Sequence, residues 1–214
     1  MLTSPTDIRS IVFDLDGTLY ASAGLANEIE AVAESLVAES RGVPVVEGRR
    51  LLRRSRRRLG EELGEEPTLT RTCLELGIEV AEFHCALQGR LRPERYLGPD
   101  PILYALLDSL RDDYHLYLYT NNSLPMAQKI LALLGVEGLF ERLYTIEFAW
   151  VPKPDPTVLQ RVLEDIGGLP ESFLFVGDRL PVDLRLPADL GIPTMQVRDA
   201  EDLLQIHKLL GLIP

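Results

Sequence analysis

Apolar residues gather in short runs of β-branched and aromatic type at residues 8–13, 114–119, 173–176 and 194–197, each reading as a buried strand, and 143–148 reads as a fifth. From about residue 101 these runs alternate with stretches of helical periodicity at 124–134, 156–166, 184–190 and 200–210. Strand and helix in alternation predict an α/β fold, a doubly wound parallel sheet with helices on both faces. In such a sheet ligands collect beyond the C-terminal ends of the strands.

Residues 21–97 break the alternation. Ile29, Val32, Ala33, Leu36 and Val37 mark one amphipathic helix, and Leu51, Leu52 and Leu59 another. Gly42, Pro44, Gly64, Pro67, Gly77 and Pro93 cut the stretch into short helices. The expected organisation is therefore a sheet domain from residues 1–20 and 98–214, with a small α-helical domain at 21–97 inserted after the first strand.

The ends of the strands carry the chemistry. The first run continues as Phe13-Asp14-Leu15-Asp16-Gly17-Thr18-Leu19-Tyr20, so Asp14 and Asp16 fall on one side of an extended chain and Gly17 permits a sharp turn. Taken alone, Asp-x-Asp-Gly is also an ordinary turn. Two carboxylates so close call for a divalent cation, a shared proton or a nearby Lys or Arg. The second run ends in Thr120-Asn121-Asn122-Ser123, where a hydroxyl, an amide and a helix N-terminus suit an anion, although Asn and Ser are also common caps. Lys153, one of only three lysines, stands between Pro152 and Pro154, and its point charge suits a phosphoryl oxygen or a carboxylate. The fourth run ends in Gly177-Asp178, with Asp183 five residues on. Acids at neighbouring strand ends can converge on one hard cation; Asp183 fits an outer-shell role, a partnership with Lys153, or a cap for the helix near Leu184.

In this order the four motifs resemble the haloacid dehalogenase superfamily, over residues 8–20 and about 101–214, with the helical stretch in the place of that family's cap. The resemblance implies a Rossmann-like core and a Mg2+-dependent phosphatase acting through an aspartyl-phosphate. It makes Asp14 the nucleophile and Asp16 the acid and base. It gives the phosphate cradle to Thr120, Asn121, Lys153 and Gly17, and the metal to Asp14, Asp16, Asp178 and, in the outer shell, Asp183. Asp16 favours phosphate chemistry over dehalogenation, because halide leaves unprotonated. A phosphomutase or a dehalogenase on the same core, a non-catalytic binding protein and a phospho-receiver module are the alternatives. Tyr20 after Asp-Leu-Asp-Gly-Thr-Leu is similar to pyrimidine 5′-nucleotidase-like members, where an aromatic could stack on a base, so the expected partner is a small phosphorylated metabolite: a nucleotide, or a phospho-acid or sugar.

Composition narrows the partners further. A net charge of −11 argues against nucleic acid and anionic membranes. No basic segment precedes an apolar stretch at the N-terminus and no apolar run spans a bilayer, from which a cytoplasmic location is expected, while the apolar faces of the helical stretch leave the assembly open between monomer and homodimer. Cys73 and Cys85 read as reduced packing residues, and His84, His115 and His207 as structural. The arginines from Arg49 to Arg58 read as a solvated face or as partners of Glu61, Glu62, Glu65 and Glu66, with a positive surface for anionic substrates as the alternative.

Overall fold

The computed structural model describes residues 8–198 and 200–211. The chain divides into two compact units: residues 22–96 with 150–152, and the remainder.

The larger unit is a five-stranded, all-parallel sheet in the order β3-β2-β1-β4-β5. Its strands are β1 (Ser10–Phe13), β2 (His115–Tyr119), β3 (Arg142–Tyr144), β4 (Phe173–Gly177) and β5 (Thr194–Gln196). All four residues of β1 and all five of β4 are buried, because helices cover both sheet faces and neither face of a central strand meets water. On one face Val12, Phe173 and Phe175 pack with Val158, Leu159 and Val162. Those three belong to the helix Pro156–Ile166, which Asp155 caps by accepting the Val158 N–H at 2.9 Å, with Pro156 at its first position. Each such side chain contributes about 1.5–3 kcal/mol of burial. Alternation sends Ile11 and Phe13 to the opposite face, where they too are fully buried.

Three expected elements differ. The run at 143–148 is strand only as far as Tyr144; Ile146–Phe148 is a 3-10 turn whose Ile146 is buried, so the apolar pattern continues after the ladder ends. The helix expected at 184–190 begins as a π-helical turn, Leu180–Leu184, running into Arg185–Asp189. The C-terminal helix is two short ones, Ala200–Leu204 and Ile206–Leu209. The leader reading falls largely on residues 1–7, outside the described residues.

The smaller unit contains α1 (Ala23–Arg41), α2 (Val45–Leu63), α3 (Leu69–Glu75) and α4 (Val80–Arg90). Gly48 lets α2 lie on α1, since a Cβ there would sit 2.5 Å from the Glu34 carbonyl oxygen. The arginines of α2 are largely paired. Arg49 holds the buried Glu34 at 2.8 Å, Arg56 holds Glu30 at 2.8 Å, Arg50 holds Glu47 at 2.7 Å and Arg57 holds Glu61 at 2.9 Å. Arg58 lies 3.7 Å from Glu62 and also pairs with Glu75. All of these partners lie in α1, α2 or α3, and Glu61 and Glu62 are two of the acidic residues expected to pair with the arginines. Cys73 is buried as expected, but Cys85 is exposed on α4. Among the described residues no helix is long and apolar enough to cross a membrane.

Candidate active site

The register aligns the motif-bearing strand ends. Phe13 pairs with Leu118 on one side and Val176 on the other, so Asp14, the Tyr119–Thr120 corner and Gly177–Asp178 emerge together at the C-terminal edge. The Asp14 N–H donates to Val176 O at 2.9 Å, and the Thr120 N–H to Tyr144 O at 2.9 Å, which fixes both corners.

Lys153 is the hub. Its ammonium donates to Asp14 Oδ1 at 2.7 Å, Asp183 Oδ1 at 2.7 Å and the Tyr119 carbonyl at 2.8 Å, using all three protons. The Tyr119 ring centroid lies 5.0 Å from Nζ. The side chain is only 4% exposed. Burial works against the ammonium, but Asp14 and Asp183 outweigh it and hold its pKa above the ordinary lysine value. Burial pushes Asp14 up to about 8, with Lys153 pulling down and Asp183 and Asp16 pushing up. One buried cation thus faces two carboxylates, leaving an excess of negative charge. Asp183 accepts the Arg179 N–H at 3.1 Å and is the Lys153 partner, not a cap of the helix beyond it.

Asp16 is half-buried and turned from this cluster. Tyr20 Oη donates to its Oδ1 and Asn122 Nδ2 to its Oδ2 at 3.1 Å. Burial raises its pKa against the pull of those two hydrogen bonds. The two motif acids therefore have different surroundings: a charged lysine for Asp14, neutral donors for Asp16.

The corner after β2 is occupied differently from the anion cradle read in its sequence. Thr120 Oγ1 accepts the Asn122 N–H at 3.1 Å, Asn122 Oδ1 accepts the Ser123 N–H at 3.1 Å, and Glu147 accepts the Leu124 N–H at 3.0 Å. The donors at the start of the helix Leu124–Leu134 are thus already engaged. The Asn121 side chain braces Lys153, accepting its N–H at 2.6 Å and donating to its carbonyl at 3.4 Å. What remains for an anion is the Thr120 hydroxyl proton and the backbone N–H groups of Leu15, Asp16 and Asn121, which meet no acceptor among the described residues. Asn122 and Glu147 were not singled out in the sequence; both look like ordinary capping or surface residues there.

Asp14, Asp178 and Asp183 each offer a carboxylate oxygen, all within 4.8 Å of one another. Gly17, at φ 92°, lets Asp178 into the cluster: a Cβ there would lie 2.5 Å from Asp178 Oδ2. Burial, with Asp183 adding to it, pushes Asp178 up to about 6. Three carboxylates with no soft donor fit a small hard cation such as Mg2+. The Asp16 carboxylate stands outside this group.

A family model for haloacid dehalogenase-like hydrolases matches residues 8–191. The chain belongs to this hydrolase family. It is 26% identical to the glyceraldehyde 3-phosphate phosphatase of Methanopyrus kandleri over 89% of this chain and 84% of that protein. It is 29% identical to the phosphoglycolate phosphatase of Aquifex aeolicus over 80% and 76%. The crystal structure of the HAD phosphatase from Thermococcus onnurineus shares the fold at a TM-score of 0.66 and 20% identity, covering 95% of this hydrolase and 98% of that chain.

Proposed function

We propose that this hydrolase is a Mg2+-dependent phosphatase that cleaves a small phosphate monoester through a phosphoryl group carried on Asp14. The observation that carries the reading is the division of labour between the two motif acids. Asp14 is held by a buried ammonium, and Asp16, two residues on, is held only by neutral donors. A nucleophile must be ionised and an acid must carry a proton: the Lys153 ammonium favours the charged form of Asp14 against the burial that pushes it up, while Asp16 is raised by burial with only neutral donors on its oxygens.

Asp14 attacks phosphorus in line, its Oδ–P bond forming as the bond to the leaving oxygen breaks. The Thr120 hydroxyl and the free N–H groups of Leu15, Asp16 and Asn121 supply donors to the phosphoryl oxygens, and Lys153, its three protons already engaged, supplies positive charge beside Asp14. Asp16 gives its proton to the leaving alcohol, then takes one from the water that attacks the phospho-aspartate. The side chains of Asp14, Asp178 and Asp183, with the Asp16 carbonyl, would hold the magnesium, which when bound offsets the negative charge of acids and phosphate together. Residues 22–96 would serve as the cap that selects the ester.

The relatives act on phosphoglycolate and glyceraldehyde 3-phosphate, which supports a short phosphorylated acid or aldehyde as substrate. A panel of phosphoglycolate, glyceraldehyde 3-phosphate, nucleoside monophosphates and 2-haloacids, assayed with magnesium and with EDTA, tests this. Magnesium-dependent phosphate release with no halide release is expected. Halide release alone, or undiminished turnover in EDTA, refutes the reading.

A further inference from the structure

Both oxygens of the Asp16 carboxyl are gripped by side chains to which the phosphatase reading gives no task. Tyr20 Oη donates to Oδ1. Asn122 Nδ2 donates to Oδ2 at 3.1 Å, against 3.5 Å to Oδ1. The Asn122 amide is oriented by its own network, because its Oδ1 accepts the Ser123 N–H at 3.1 Å and so its nitrogen faces Asp16. An amide nitrogen donates and cannot accept. Asn122 therefore stays the donor and Asp16 Oδ2 its acceptor in either protonation state of the carboxyl. A phenol hydroxyl both donates and accepts, so Tyr20 keeps its bond whether Asp16 is charged or neutral.

The backbone holds both partners in place. The Gly17 N–H donates to the Tyr20 carbonyl at 2.9 Å, closing the tight turn that returns Tyr20 to Asp16. Asn122 donates its N–H to Thr120 Oγ1 at 3.1 Å, and its carbonyl accepts the Ile146 N–H at 3.0 Å.

We infer that Tyr20 and Asn122 are positioning residues for Asp16: holding both oxygens, they fix the plane of the carboxyl that hands its proton to the leaving group. The inference rests on the reading of Asp16 as acid and base. As the Asp14–phosphorus bond forms and the bond from phosphorus to the ester oxygen breaks, the Asp16 proton passes to that oxygen and Asp16 becomes a carboxylate. Water oxygen then bonds to phosphorus while the Asp14–phosphorus bond breaks, and its proton returns to Asp16. Inorganic phosphate leaves, and both acids regain their starting states.

The test uses leaving groups. Nitrophenolate departs without a proton, whereas an alkoxide needs one. The ratio of kcat/KM for β-glycerophosphate to that for p-nitrophenyl phosphate therefore reports proton delivery, not folding or phosphate binding. Tyr20→Phe keeps the ring and removes the hydroxyl. Asn122→Asp keeps an acceptor for the Ser123 N–H and removes the donor to Asp16. Each is expected to lower the ratio at least tenfold, and Asp16→Asn to lower it further. Equal losses on both esters in the Tyr20 and Asn122 variants, with the ratio still collapsing in Asp16→Asn, overturn the positioning role alone. An unmoved ratio in Asp16→Asn overturns the acid assignment beneath it.

Discussion

Replacing Lys153 with methionine removes one charge from the most buried part of the site while keeping a side chain of similar length. In the native protein the ammonium touches Asp14, Asp183 and the Tyr119 carbonyl. Without it two buried carboxylates face each other with no cation between them, and leaving a buried charge unpaired costs about 3–5 kcal/mol. Protonation limits the cost, because burial already pushes Asp14 up to about 8 and a proton is readily taken near neutral pH. The expected loss is then at the lower end, about 3 kcal/mol, or a fall in Tm of about 6–12 °C for a chain of this size. A cation that binds only the folded site returns about 2.7 kcal/mol at one hundred times its Kd. Urea unfolding followed by circular dichroism, in EDTA and in saturating magnesium, should show a large deficit in EDTA that magnesium mostly recovers, with a larger gain than in the wild type. A deficit below about 1 kcal/mol, or one that magnesium does not change, would refute the charge argument.

Other consequences follow from the same geometry. Gly17→Ala places a Cβ 2.5 Å from Asp178 Oδ2 at a φ of 92°, adding about 1–2 kcal/mol of backbone strain, so half-saturating magnesium should rise at least tenfold in an activity titration. In the metal-free protein, folded-state pKa values of about 8 for Asp14 and about 6 for Asp178 exceed the unfolded value of 3.8. The folded state then holds more protons in that window. This contribution is full below about pH 4 and is lost as pH rises through about 6 and then about 8; magnesium should flatten the decline in chemical denaturation. Arg53→Gln with Arg54→Gln should leave kcat/KM unchanged, whereas Arg49→Gln should cost about 1–2 kcal/mol in unfolding by stranding the buried Glu34.

The central strands were legible because a parallel sheet covered on both faces demands unbroken apolar runs, and β1, β2 and β4 supply them. The end of β3 was not. Ile146 is buried and Phe148 packs on the core after the ladder has stopped, so burial extends the apolar signal past the hydrogen bonding. Asp14, Lys153, Asp178 and Asp183 stood out because charged residues at strand ends have few structural uses, and the fold brings all four together. The corner after β2 was harder to read. Asn121 spends its side chain on Lys153, 32 residues away in sequence, and Asn122 reaches Asp16 across 106 residues. A capping asparagine and a long-range donor look alike until the sheet closes.

The central claim is that phosphate passes through Asp14. During turnover of a radiolabelled phosphate monoester, rapid acid quenching followed by peptide mapping should find phosphate bound covalently to the peptide carrying Asp14, and none in Asp14→Asn. An enzyme that turns over the ester with no bound label, or whose Asp14→Asn variant still carries it, would contradict the account.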